Sequence, residues 1–453
     1  MSSDKSHITI ETEKKALPEG WRMKPLRELV LRFLNGGTPD TSKAEYWDGP
    51  IPWITGADAE SRITTTARDY ITQKGLEESS TNIVPKGNIL LVTRTGVGKV
   101  SVAGVDVAIS QDLTGLIPNI DTIDFNYLYR QLSFLAPYIK RYAQGTIIQG
   151  IERKDVERVL IPFPEKPEQR RIAFILDTID EAIAKTEAVI AKLKQVRAGL
   201  LHGLLTRGLD ENGELRDPVF HPEQFKDSPV GRIPKEWEVG SLRNLATDGL
   251  SNGFFKKPSL VGSGYRLVNV FDLYQPFGID LDLVERVRAT ESELKRFEVK
   301  TGDIFFTRSS LVLSGIAHCN IIRCLKEPAL FESHVMKMIP NQDKVVPEFL
   351  AHWCRSAFAR TFFMSRARQV TMATISQPDI LPLLVALPDK QEQTKIIDLL
   401  DGSDDSIRAE KSNCDKLKLI KSGLMSDLLT GRVRVPEGIT EQINTLREST
   451  EAH

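Results

Sequence analysis

A chain of 453 residues with 41% apolar and 27% charged side chains has room for two to four globular domains. Its apolar runs stay well short of the roughly 18 residues that a membrane-crossing helix needs, so no membrane partner is expected. With 60 Lys and Arg against 61 Asp and Glu, the formal charge of −1 excludes a uniformly basic nucleic-acid binder, though not a basic face within a neutral total.

Residues 1–16 read as a disordered lead-in without the apolar segment of a secretory leader. Residues 17–163 predict a first globular domain. Within it, 88–93 and Val100–Ala103 have the glycine-bounded apolar character of strands. Residues 124–142 predict an amphipathic helix with Tyr127, Leu128, Leu132, Leu135 and Ile139 on one side. Strands and helices in this order give an α+β domain, not an alternating βαβ array.

Residues 164–206 predict a long helix. Its apolar positions, Ile172, Leu176, Ile179, Ile183, Ile190, Leu193, Leu200 and Leu204, follow the spacing of a coiled-coil seam, broken at Thr186 and Arg197. Residues 207–232, rich in Pro, Gly and Asp, read as a linker. A second globular domain is expected over 233–387 and a second long helix over 388–430. That helix carries Ile396, Leu400, Ile407, Leu417, Leu424 and Leu428 on its seam, broken at Glu410, Cys414 and Lys421. Residues 431–453 form a polar tail. At about 1.5 Å per residue each helix would be roughly 60 Å long, and an exposed seam of that length needs a partner. The other helix, antiparallel, is the simplest one; the pair would then be a rod with a domain at either end.

The chain is thus written twice. Leu17-Pro-Glu-Gly-Trp21 returns as Ile233-Pro-Lys-Glu-Trp237, 216 residues later, and PEQRRIAFILDTIDEAI…GLLT returns as KQEQTKIIDLLDGSDDSI…DLLT at an offset of 224. This gives the chain an internal pseudo-twofold repeat. The four cysteines, Cys319, Cys324, Cys354 and Cys414, all lie in the second half, so no disulfide is common to both halves and a reducing, cytoplasmic setting is expected. Cys319 and Cys324, with His318, His352 and Cys354 nearby, match no standard zinc spacing. No hydrolase, zinc-protease or dinucleotide-binding motif is present, nor the Asn/Asp-Pro-Pro-aromatic tetrapeptide of an amino-methyltransferase.

These paired openings and helix ends, the linker GLDENGELRDP…KDSPVGRIPKEW, and Lys86-Gly-Asn-Ile-Leu-Leu-Val-Thr-Arg-Thr-Gly96 with its counterpart Thr301-Gly-Asp-Ile-Phe-Phe-Thr-Arg308 resemble the specificity subunit of type I restriction–modification enzymes. The resemblance covers residues 17–435. It implies two target-recognition domains separated by two helices paired as an antiparallel coiled coil, reading a bipartite, asymmetric target in double-stranded DNA. It also implies a chain that is non-catalytic by itself, docking two methyltransferase subunits and the restriction/translocase subunits. S-adenosylmethionine, ATP and Mg would belong to those partners, none to this chain. A rod longer than the roughly 34 Å turn of B-DNA implies unread base pairs between the half-sites. The competing readings are a single-chain methyltransferase or nuclease with a similar recognition module, and a coiled-coil scaffold without a DNA role.

Candidate DNA contacts begin with Arg94, Thr95, Gly96 and Lys99. Val100 stands where a phosphate-binding loop would place Ser or Thr, so a nucleotide cradle is excluded, and the segment reads either as a DNA-facing turn or as an ordinary hairpin. Arg308 is read as the counterpart of Arg94, with Ser309 opening a Ser-Ser-Leu stretch in place of Thr-Gly-Val-Gly-Lys. Arginine suits guanine O6/N7 or phosphate, and glutamine suits adenine. Gln149, Arg153 and Lys154, matched by Arg366, Arg368 and Gln377, lie in loops before each domain's exit. Lys256 and Lys257 are candidate phosphate contacts. Trp21 and Trp237 are expected in the core.

Overall fold

Alternation of short β-branched and aromatic runs with glycine-rich turns produces short antiparallel strands, and the two long periodic segments produce two long helices. The computed structural model describes residues 17–141, 150–369 and 371–438. The expected lead-in, residues 1–16, lies outside them. The chain divides into two compact units, one made of Met1–Thr186 with Asn413–His453 and the other of Glu187–Ser412. The division cuts both long helices, Lys166–Thr206 and Lys390–Leu428, so each unit contains one globular domain and part of each helix.

In the first unit a five-stranded sheet runs in the order Val30–Asn35, Leu113–Pro118, Ile89–Val92, Val100–Ala103, Ile63–Thr64. A four-stranded sheet contains Trp47–Ile54 beside Val107–Ile109, a parallel pair with Trp53 opposite Ala108. The helix Phe125–Arg141 buries Tyr127, Leu128, Leu132, Leu135 and Ile139 in one core, the face its periodicity predicts. Arg22–Pro25 pairs with Leu160–Phe163, tying the domain's beginning to its end.

The second unit repeats this plan. Ala246–Asn252, Val335–Pro340, Ile304–Thr307 and Cys319–Ile321 form a four-stranded sheet in that order. Val261–Val268 lies parallel to Ala329–Phe331, and Glu238–Ser241 pairs with Leu384–Leu387. The helix Phe125–Arg141 of the first domain is replaced by two, Pro347–Cys354 and Ala357–Arg366. The break falls at Ser356, whose side chain caps the second helix by accepting the Ala359 amide.

Within each unit the two helix segments lie antiparallel. In the first, Ile172 and Leu176 share a core with Leu428, and Lys421 is 2.6 Å from Asp180, which Arg130 also contacts. In the second, Leu204 shares a core with Ile396 and Leu400, and Arg197 makes a two-pronged bond to Asp404 at 2.6 and 2.9 Å. Arg197 and Lys421 are interruptions of the apolar seams. They are filled by repeat-related ion pairs, which fix the alignment of neighbouring helices more sharply than aliphatic side chains can.

A second repeated device closes each domain onto its helices. Trp21 donates its indole N–H to Glu168 at 3.1 Å, and Arg434 grips the same carboxylate at 2.7 and 2.8 Å. Trp237 donates to Glu392 at 3.1 Å, and Arg216 holds that carboxylate at 2.6 Å. Both indoles are buried. Arg216 and Leu209 belong to the segment expected as a linker. That segment is folded down: Leu209 is buried, its amide donates to Glu392, and Phe225–Ser228 forms a hairpin with Gly231–Pro234. Gly208, at φ +63°, lies so near Trp237 that a Cβ would sit 2.5 Å from the ring. The start of the expected tail is likewise docked, with Val435 buried beside Glu168.

Candidate nucleic-acid interface

Strand Ile89–Val92 is fully buried, and the chain leaves it through a tight turn into Val100–Ala103, with Leu91 opposite Val100. The turn carries three left-handed residues, Thr95, Gly96 and Gly98. At Gly98 a Cβ would lie 2.6 Å from the Ala136 carbonyl oxygen, so only glycine lets the turn pack against the helix. The turn leaves Arg94, Thr95, Gly96 and Lys99 exposed. Ile151 donates its amide to the Thr93 carbonyl at 2.9 Å, and Arg94 bridges to Gly150. Thr93 and Arg94 both donate their amides to the carbonyl of Asp112, at 2.7 and 3.1 Å. Three separate segments therefore meet around an open cavity of about 890 Å³.

Arg94, Arg153 and Lys154 line this cavity together, joined by Asn35, Gln111 and Arg158. Arg153 pairs with Glu157 at 2.7 Å with its guanidinium over the Phe33 ring, and Lys154 pairs with Glu152 at 2.6 Å. Both cations are exposed, so these pairs give way to phosphate at little cost. Gln149 lies outside the described residues. Gln111 carried no sequence signal; it is exposed and accepts a hydrogen bond from Thr38 at 2.6 Å, and only the fold places it beside Arg94.

The second domain builds the same junction. Arg308 donates its amide to the His334 carbonyl at 2.8 Å, Ile375 donates to the Arg308 carbonyl at 3.1 Å, and Ser309 pairs with Thr374. These bonds correct one expectation. Arg308 occupies the place of Thr93, and Ser309 that of Arg94, because Val335 lies opposite Thr307 as Leu113 lies opposite Val92. Thr307 thus matches Val92, and the two arginines enter their cavities from adjacent backbone positions. The exit helices agree without a shift: Arg153 and Gln377 each begin a short helix, Arg153–Glu157 and Gln377–Ile380.

This second cavity, of about 600 Å³, is lined by Arg308, Ser309, His334 and Arg368, with Phe255 and Met372. Ser309 is 2.9 Å from the His334 ring. Gln377 and Arg366 do not line it; Arg366 is exposed with its guanidinium over Phe362. Lys256 does not stand free for phosphate. It is half-buried, donating to Asn269 at 3.1 Å and Glu285 at 2.5 Å, whereas Lys257 is exposed.

The arginine-rich stretch of 350–378 is also divided in role. Arg355 donates to the Cys319 carbonyl, and Arg360 to those of Ile316 and Ser314, so both brace the domain interior. Burial, together with Arg355 and Arg360, pushes His318 down to about 4, leaving it neutral and stacked on Tyr274. Of the zinc-like residues only Cys319 and Cys354 meet, as a buried hydrogen-bonded pair of thiols; His352 stacks on Phe277, and Cys324 is exposed. Among the described residues no group of three His, Cys, Asp or Glu could hold a metal. No helix among them is long and apolar enough to cross a membrane.

A family model, the type I restriction modification DNA specificity domain, matches the chain twice, over residues 18–195 and 234–419. The chain belongs to this family. It is 24% identical over 425 residues to the type I restriction enzyme MjaVIII specificity subunit of Methanocaldococcus jannaschii, covering 92% of this chain and 94% of that protein. The MjaIX specificity subunit of the same organism is 25% identical, with coverage of 94% and 96%. The crystal structure of a type I restriction–modification S subunit from M. genitalium superposes with a TM-score of 0.51 at 16% identity, over 92% of this chain and 97% of that one, showing a shared fold.

Proposed function

We infer that this chain is the DNA-recognition subunit of a type I restriction–modification system and does no chemistry itself. Each domain reads one half of a bipartite, asymmetric target. The observation that carries the reading is the junction built twice: a strand end, a loop and an exit segment, held by the same backbone bonds, surround a cavity rimmed by arginine. Phosphate contacts from Lys99, Arg153, Lys154, Lys257 and Arg366 would set position, while Arg94, Gln111, Arg308 and Arg368 would reach base edges. Helices of 41 and 39 residues, each roughly 60 Å long, support a target whose halves are separated by unread base pairs.

The repeated helix surfaces would dock two modification subunits, which use S-adenosylmethionine to methylate adenine, and the restriction subunits would bring ATP- and Mg-dependent translocation and cleavage. Adenine-methylation mapping of the host genome, with this gene intact and deleted, tests the reading. A gapped two-part motif that disappears on deletion is expected. An unchanged methylation pattern, with a modification subunit present and active, overturns it.

A further inference from the structure

The second cavity differs in kind from the first. Phe255, 72% exposed, and Met372, 39% exposed, stand in the same cavity as Arg308, Arg368 and His334. Two large apolar side chains gathered with two guanidinium groups in one cavity make a mixed apolar and cationic surface, suited to a ligand that offers both characters. The cations indicate a polyanion, and the Arg308 backbone junction repeats the one that carries Arg94. Within duplex DNA, the one apolar feature on a major-groove base edge is the 5-methyl group of thymine. We propose that Phe255 and Met372 form the receptor for a thymine methyl group in the half-site read by the second domain, flanked by arginine contacts to neighbouring bases or phosphates. The first cavity presents Asn35 and Gln111 instead and has no such receptor among the residues that line it.

The proposal rests on the DNA-recognition reading, and its test separates the two. The full chain, in complex with its modification subunit, is titrated with duplexes carrying the mapped target, in which each thymine is replaced singly by deoxyuridine. That change removes the methyl group alone. One thymine of the half-site lost in Arg308→Ala should show about four-fold weaker binding, the worth of one buried methyl group. In the double variant Phe255→Ala/Met372→Ala the thymine and uridine duplexes should bind equally. Both side chains are exposed or half-exposed, so the variants keep their fold, and unchanged binding to the other half-site checks this. Uridine without effect at every position of that half-site, or an effect that persists in the double variant, overturns the methyl receptor. Equal binding to target and scrambled half-sites overturns DNA reading itself.

Discussion

The cavity of the first domain is walled by Asn35, Gln111 and Arg158, and the corresponding cavity of the second by Phe255, His334 and Met372. The backbone bonds that make the two cavities correspond closely: Ile151 to Thr93 at 2.9 Å beside Ile375 to Arg308 at 3.1 Å, and Thr93 to Asp112 at 2.7 Å beside Arg308 to His334 at 2.8 Å. Main-chain hydrogen bonds do not depend on side-chain identity, so this frame tolerates replacement of nearly every residue that faces outward. On the proposed reading of these cavities, the place of recognition and the content of recognition are independent, and one domain would change its half-site without disturbing the other.

The largest expected effect probes the clamps. Glu392→Ala leaves the Trp237 N–H buried without its acceptor and Arg216 with only Glu236 and the Arg207 carbonyl, each at 3.4 Å, and should cost the second unit about 3 kcal/mol, read by thermal unfolding. Glu168→Ala should cost the first unit less, because the Arg434 side chain is 50% exposed and that of Arg216 only 12%. Equal losses would break the comparison. Next, Arg94→Ala and Arg308→Ala should each relax one half of the methylation motif, by about 1–3 kcal/mol of discrimination, and leave the other half intact. Loss of both halves in either variant would sink the independence of the domains.

Lys256→Ala and Lys257→Ala should separate cleanly. The first should lower stability by about 1 kcal/mol and leave the salt dependence of DNA binding unchanged. The second should reduce the salt slope by about one and leave stability unchanged. The smallest effect is a pH dependence of the first unit. Burial raises the pKa of Glu168, but its bonds from Arg434 and Trp21 outweigh this and hold it below the ordinary carboxylate range; Lys421 and Arg130 do the same for the partly buried Asp180. A depressed folded pKa stabilises above the unfolded value of about 4, and that gain disappears as pH falls through the folded pKa. The acid limb of the first unit's stability should therefore be shallower in Glu168→Gln, as read by acid titration of tryptophan fluorescence.

Much of the architecture is legible in the residues. The apolar face of Phe125–Arg141, the strand pair flanking the Arg94 turn and the repeat itself come from periodicity and punctuation. The seam interruptions at Arg197 and Lys421 are visible as positions, but their partners Asp404 and Asp180 lie on another helix and need the fold. The match of Arg308 to Arg94 is one residue out, since counting along a motif cannot see that Thr307 takes the place of Val92 in its sheet. Lys256 reads as free in the sequence because Glu285, its partner, is 29 residues away. Gln111 and His334 sit in loops without a motif, and only a three-segment junction marks them out.

The composition of the two units carries a consequence for synthesis. The second unit is one uninterrupted stretch, Glu187–Ser412, whereas the first is completed by residues from Asn413 onward. Gln131 donates to the Leu429 carbonyl across 298 residues, and Arg434 reaches Glu168 across 266. On the ribosome the domain made first must wait for the segment from Asn413 onward, while the later domain already has everything it needs. Maturation therefore runs against the order of translation, and a transcript cut short before codon 429 yields a finished second reader attached to an open first one.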